Sequence, residues 1–475
     1  MRFNSLDYVL FLVVALALYW ALQRLNLLRL LFVFLASCIF YMAWNPYYIF
    51  LILGSTVLDY SVGLAIHRAD TRRAKKAWLS LSLVGNLGLL GTFKYFNFFS
   101  QAIADMISLR FEVEVSAPQL DVLLPVGISF YTFQTLSYTI DIYRGKLRPT
   151  RNILQFAVFV TYFPQLVAGP IVRASELLPQ LPKVPHLTER QVSRGLFLIG
   201  TGMTKKVAVA DLLSVNLVDR VFANPELYTA TEVVIALYGF TMQIYCDFSG
   251  YTDVARGSAM LMGLKLPENF DRPYQAPNPA EFWRRWHMTL SSWLRDYLYF
   301  PLGGSRRGPV RSYFNLGLTM FLIGIWHGAS WTFVLYAILQ AGAMVGHRFF
   351  VRTLRARGRD AKGTMAGLVL RVFLNLQFVV FSRILFRATS LDNASDVTAR
   401  LFSGTFSVAQ VPFVVWFILI STFVFHYLPK KWFEQIEEWF ASLSAVVQGL
   451  VLAALAGALA LIATTDVVPY IYFQF

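Results

Sequence analysis

The sequence has only two cysteines in 475 residues, and both Cys38 and Cys246 sit inside apolar stretches. Two such residues cannot build a disulfide framework and lack the paired spacing of a Cys-based metal site, so they read as inert packing side chains. Charge is equally scarce: Asp, Glu, Lys and Arg make up 15% of the chain, against 56% hydrophobic residues and a mean hydropathy of +0.53. One soluble core cannot hide that much apolar surface. No Walker loop, dinucleotide fingerprint or Cys/His zinc pattern is present, which leaves ATP, NAD and structural zinc without support. HxxxH spacing is missing too, so metal ligation by histidine has little basis. There is no internal repeat and no Pro- or Ser-rich linker. The apolar runs are continuous rather than alternating, which argues against a barrel.

What remains is an all-α, polytopic integral membrane protein. At roughly 20 apolar residues per crossing, the composition allows about 11 transmembrane helices plus re-entrant or interfacial ones. We expect one membrane-embedded domain over 1–475, with N-terminal helices in 1–150, a catalytic core in 151–350 and C-terminal helices in 351–475. The region 1–26 resembles a signal peptide but lacks a small-residue cleavage site, and it reads as a retained first helix.

The net charge of +15 comes from 42 Lys and Arg against 27 Asp and Glu. The bases gather in short loops at Arg68–Lys76, Arg144–Arg151 and Arg352–Lys362, the pattern of cytoplasmic loops rather than of a nucleic-acid surface. The acidic loop around Asp105, Glu112, Glu114 and Asp121 then lies outside, reached by the runs Trp78–Phe99 and Val122–Ile140. Both termini are expected on the outer side of a cytoplasmic membrane. Near the end, QIEEWFASL reads as an interfacial amphipathic helix, followed by a last apolar run, Ala445–Thr464.

The middle of the chain mixes prolines, charges and short apolar runs. Such backbone survives at membrane depth only where protein or a water-filled cavity surrounds it, so the site is expected there. Asn269–Gly304 carries Trp283, Trp286, Trp293, Arg284, Arg285, Arg295, Asp296 and His287. An aromatic belt at the headgroups would account for its Trp and Arg residues and less well for His287. Gly317–Gln340 holds one histidine, His327, in an almost uncharged run of membrane length. Imidazole can take and return a proton near neutral pH, which makes His327 a candidate base; the plain alternative is a histidine hydrogen-bonded between helices. Ser330 reads as part of a small-residue packing motif, and Asp247, Asp253 and Asp296 as acids paired with arginines.

These two stretches, with LPVGISFYTFQTLSYTIDIYRG (124–145), FPQLVAGPIVR (163–173) and QIYCDFSGYTDVARG (243–257), resemble the membrane-bound O-acyltransferase family over nearly the whole chain. The WRRWH and WHG blocks in this order are the specific signal. The likeness is to its bacterial, alginate O-acetyltransferase-like branch, which serves secreted or cell-wall polysaccharides. It implies a ring of tilted helices around a central tunnel, His327 as the catalytic histidine and His287 as the second polar catalytic position. It also implies acetyl-CoA as the cytoplasmic acyl donor, no bound cofactor, and an extracytoplasmic transferase as partner.

A thioester is already activated, so the protein has to align donor and acceptor and remove a proton from the attacking hydroxyl. Arg284, Arg285, Arg306, Arg307 and Arg311 are candidates for the CoA phosphates, although snorkelling to lipid headgroups suits each equally. Trp283, Trp286, Trp326 and Asp296 are expected to line the tunnel, with His327 reachable from both sides of the membrane. PYIYFQF resembles an aromatic terminal motif of bacterial acyl-export systems, filled by Tyr470, Tyr472 and Phe475; Tyr472 is either an acyl carrier or an interfacial anchor. Two other functions stay open on physical grounds: a transporter of a glycan or lipid intermediate, and D-alanyl transfer to teichoic acid.

Overall fold

A computed structural model describes residues 1, 3–357, 364–463 and 468–473. The end of the Arg352–Lys362 stretch, Thr464 and Phe475 lie outside the described residues. Helices form the whole regular structure among those residues, without a strand. The chain divides into two compact units, Met1–Leu187 with Leu261–Leu266, and Thr188–Met260 with Pro267–Gln474.

Among the described residues, four helices are long and apolar enough to cross a membrane: Pro46–Arg68, Trp331–Ala356, Met365–Arg387 and Ala445–Ile462. A fifth crossing arises if Phe413–Tyr427 and Lys430–Ser442, bent by 98°, form one broken span. That is fewer than the 11 expected from composition, because much of the apolar sequence is spent in shorter or interrupted pieces. Leu6–Ala21 and Asn26–Met42 have 16 and 17 residues. π-Helical turns interrupt others, at Gly91–Tyr95, Thr204–Asp211 and Ser214–Val218.

In the first unit, the few intramembrane charges are spent on structure. Asp59, fully buried in the Ile49–Arg68 helix, accepts hydrogen bonds from Ser82 (2.6 Å) and from the Asn86 amide (2.9 and 3.0 Å). Arg29 donates to four oxygens, among them the backbone carbonyls of Leu181 and Lys183 at 2.9 and 2.8 Å. Both patterns are what a buried charge needs to remain in an apolar medium. The expected run Val122–Ile140 is corrected at its start: the helix begins at Ile128, behind Pro125 and a left-handed Gly127. Proline removes a backbone donor and pushes its predecessor out of helical geometry, so 113–127 stays irregular.

The second unit contains both histidine-bearing stretches. Its longest helix, Ala230–Leu261, runs for 32 residues and carries the CDFSGYTD segment. The amphipathic QIEEWFASL segment is helical through Ser442, as part of Lys430–Ser442, with Leu443 extended behind it. Its acids face the Glu189–Met203 helix, where Glu437 pairs with Arg194 at 2.9 Å and Glu438 with Arg190.

Candidate active site

The run Gly317–Gln340 is not one helix. It breaks into Gly308–His327 and Trp331–Ala356, with Gly328 fully extended between them and Ser330 extended at the head of the second helix. His327 is therefore the last residue of its helix, at the turn of a tight hairpin. Two glycines allow the hairpin to close. A Cβ on Gly324 would stand 2.3 Å from the Ala337 Cβ, and one on Gly328 would stand 2.2 Å from the Phe333 ring. No side chain fits at such distances. Ser330 is not one turn along from His327 on the same helix, because the break intervenes. Its hydroxyl meets that of Thr332 at 2.7 Å in the first turn of the next helix.

His327 is 2% exposed. Its ring lies 5.1 Å from Trp326, 5.2 Å from Phe386, 5.9 Å from Tyr472 and 6.4 Å from Tyr336, centroid to centroid. Aromatic side chains, Tyr472 among them, thus border the imidazole closely.

His287 is fully buried between two seven-residue helices, Pro279–Arg285 and Met288–Leu294. The first is started by Asn278, whose side chain accepts from the Glu281 amide at 2.9 Å, with Pro279 at the first helical position. Between the helices, His287 takes a left-handed backbone at φ 45°, a conformation that costs a non-glycine residue about 1–3 kcal/mol and persists only where its surroundings impose it. Asn269 supplies that constraint. Its backbone carbonyl accepts from the Met288 amide at 3.0 Å, and its side-chain oxygen accepts from the Thr289 amide at 3.1 Å and hydroxyl at 2.9 Å. The same oxygen lies 3.2 Å from Nδ1 of His287. An amide oxygen can only accept, so Nδ1 carries the hydrogen and Nε2 is the basic nitrogen of the ring.

Tyr472 joins the two histidines. Its ring is 5.9 Å from His327, 6.1 Å from His287, 6.4 Å from Trp326 and 4.0 Å from Phe248, and the residue is 6% exposed. The segment around it is held through its backbone. The Ile471 amide donates to Asp247 at 2.8 Å, and Lys206 reaches the Pro469 carbonyl at 3.4 Å. Lys206, 1% exposed, also pairs with Asp247 and Asp211 at 2.7 Å each and stands 4.4 Å from the centre of the Tyr470 ring. Asp247 and Asp253 were expected to pair with arginines; their partners are Lys206 and, at 2.6 Å, Lys205. Two successive lysines ahead of VAVAD were the signal for this in the sequence, and a π-helical turn aims them at the neighbouring helix.

The remaining expected residues divide. Trp326 borders both histidines, 5.7 Å from His287 and 5.1 Å from His327. Trp286 stacks with Phe282 and carries the guanidinium of Arg383 at 5.0 Å from its ring centre. Trp283 donates its indole N–H to Gln340 at 3.3 Å. Asp296 is paired with its neighbour Arg295 at 2.8 Å. Arg284 and Arg285 both engage Glu281, at 3.2 and 3.0 Å. Arg306, Arg307 and Arg311 are exposed around the start of the Gly308–His327 helix, the last two beside a depression of about 490 Å³. Arg383 was missed altogether, as were Asn269 and Lys206.

Residues 146–386 match the membrane-bound O-acyltransferase family, and this chain belongs to it. It is 39% identical over 407 residues to the probable alginate O-acetylase AlgI of Pseudomonas aeruginosa, covering 85% of this chain and 75% of that protein. Identity to the probable alginate O-acetylase AlgI of Pseudomonas syringae is 40%, over 83% and 73% of the two chains. The peptidoglycan O-acetyltransferase of Helicobacter pylori is 37% identical, over 77% and 72%. The chain is therefore a membrane-bound acyltransferase rather than the transporter that its buried polar groups also allowed.

Proposed function

We propose that this acyltransferase takes an acetyl group from cytoplasmic acetyl-CoA and delivers it across the membrane for O-acetylation of an extracytoplasmic polysaccharide. The relatives named as alginate O-acetylases and a peptidoglycan O-acetyltransferase support the acyl group and the class of acceptor. The observation that carries the mechanism is the seat of Tyr472 between the two histidines, buried rather than spread at a helix end as an anchor would be.

His327 acts as general base. It removes the phenol proton of Tyr472 as the hydroxyl oxygen attacks the thioester carbonyl, and the proton then goes to the departing CoA thiolate. His287, fixed by Asn269 with Nε2 basic, orients the phenol on the far side of Trp326. The acetyl-tyrosine then leaves its seat and hands the acyl group to an extracytoplasmic transferase. In this reading the chain crosses the membrane about 11 times, counting tilted and broken helices, with both termini on the outer side. Arg284, Arg285, Arg306, Arg307 and Arg311 are the residues we assign to the CoA phosphates.

Incubating purified protein with radiolabelled acetyl-CoA and cleaving off the last segment should leave label on Tyr472. Tyr472→Phe keeps the ring packing and removes the nucleophile, so label and polysaccharide acetylation should both be lost. Unchanged polysaccharide acetylation in that variant would dismiss the carrier.

A further inference from the structure

Arg383 lies in the Met365–Arg387 helix and is 1% exposed. Its guanidinium is wedged between aromatic faces, 5.0 Å from the centre of Trp286 and 5.4 Å from that of Phe386. No carboxylate pairs with it among the described residues, and its Nε and Nη2 make no hydrogen bond to any of them. Other buried charges here are paired: Lys206 has two carboxylates, Arg29 four oxygens. A permanently charged group buried without an anion is costly unless it serves one that arrives. Stacking on Trp and Phe lowers that cost and fixes the plane of the guanidinium, but satisfies none of its donors.

Its position says which anion. Phe386 is shared, 5.4 Å from the guanidinium and 5.2 Å from the ring of His327. The guanidinium is close enough to the hydroxyls of Tyr274 and Tyr336 to hydrogen-bond with them, and it interacts electrostatically with that of Tyr472. A site this deep is no place for a CoA phosphate in contact with solvent. When Tyr472 attacks a thioester, the polar atom brought to this depth is the acyl carbonyl oxygen.

We propose that Arg383 binds the carbonyl oxygen of the acyl donor and holds the negative charge it acquires during transfer, resting on the reading of His327 as base and Tyr472 as acceptor. As the tyrosine oxygen bonds to the carbonyl carbon, its proton passes to His327 and the carbonyl electron pair moves onto oxygen, facing the guanidinium. When that pair returns, the C–S bond breaks, and the CoA thiolate takes the proton from His327. Two fixed N–H donors aimed at developing charge in an apolar pocket are what such a step requires.

The test uses the full chain in lipid nanodiscs and reads acylation of Tyr472 by intact mass in single turnovers. Arg383→Met keeps the stem and removes the donors; Arg383→Lys keeps a charge without the fork. With acetyl-CoA the methionine variant should slow by about a hundredfold to a thousandfold, with the lysine variant between it and the unmodified protein. With fluoroacetyl-CoA, whose carbonyl needs less polarisation, the loss should be smaller than with acetyl-CoA. An unaltered rate overturns the assignment, and so does an equal loss with both donors, since damaged packing would not distinguish them. If the methionine variant does not yield folded protein, the same donor comparison on the lysine variant decides. Absence of acylation in the unmodified protein, or full acylation in His327→Ala, defeats the proposed function itself; normal His327 dependence with an indifferent Arg383 defeats only this inference.

Discussion

Replacing Asp247 by alanine should undock the segment that carries Tyr472. In the structure one carboxylate oxygen accepts from the Ile471 amide at 2.8 Å and the other from Lys206 at 2.7 Å, all in buried surroundings. A hydrogen bond to a charged group contributes about 1.5–3 kcal/mol, and each ~1.4 kcal/mol is a factor of ten. Lys206 keeps Asp211 at 2.7 Å, so the variant does not orphan the cation and the loss falls mainly on the tail. The docking equilibrium should therefore shift toward release by about tenfold to a hundredfold. Hydrogen exchange of the Ile471 amide, followed by mass spectrometry, reports that opening directly. Asp247→Asn, which retains an acceptor oxygen, should exchange at a rate between the two. Acylation of Tyr472 should fall with the docked population, and an excess of acetyl-CoA should not restore it. Protection at Ile471 equal to that of the unmodified protein, in a variant that has lost the carboxylate, would refute the idea that this contact holds the tail.

Two further outcomes follow from the site. Gly324→Val places carbon atoms where Ala337 already stands, and overpacking of this kind costs about 1–3 kcal/mol, so the thermal midpoint should drop and His327-dependent transfer with it; a variant as stable as the original would mean the hairpin has slack. Asn269→Ala leaves two donors of Thr289 and Nδ1 of His287 facing a buried gap, at about 1–3 kcal/mol. Transfer to Tyr472 should slow in folded protein, and an unaltered rate would show that the tautomer of His287 does not matter.

The sequence revealed the helical class and the two histidines for the same reason: an ionisable group stands out in an apolar run, and its cost demands a use or a partner. Tyr472 was legible only through the resemblance of PYIYFQF to an aromatic terminal motif, which left anchoring equally open. Arg383 was not. Four residues before Arg387, near the end of an apolar run, it looks like any arginine that reaches back to a headgroup, and only the packing of Trp286 and Phe386 around it removes that option. The break at 328–330 hid behind small residues that serve helix packing as readily as a turn. Asn269 was hidden differently, because its importance rests on the backbone of residues 287–289, eighteen to twenty positions away. The count of crossings is the least legible feature, because composition records how much apolar sequence exists and not how often π-turns and short helices divide it.

Asp247 grips the peptide group between Tyr470 and Ile471, and Lys206 the adjacent one between Pro469 and Tyr470. The hold is on main-chain atoms, so the identities of residues 469 and 471 matter little while their register matters greatly. From clamp to phenol there are two Cα atoms and one side chain, a gauge too short to stretch. Extra chain inserted upstream, between the last long helix and the clamp, would alter how far the tyrosine travels once let go, without changing where its oxygen sits when seated.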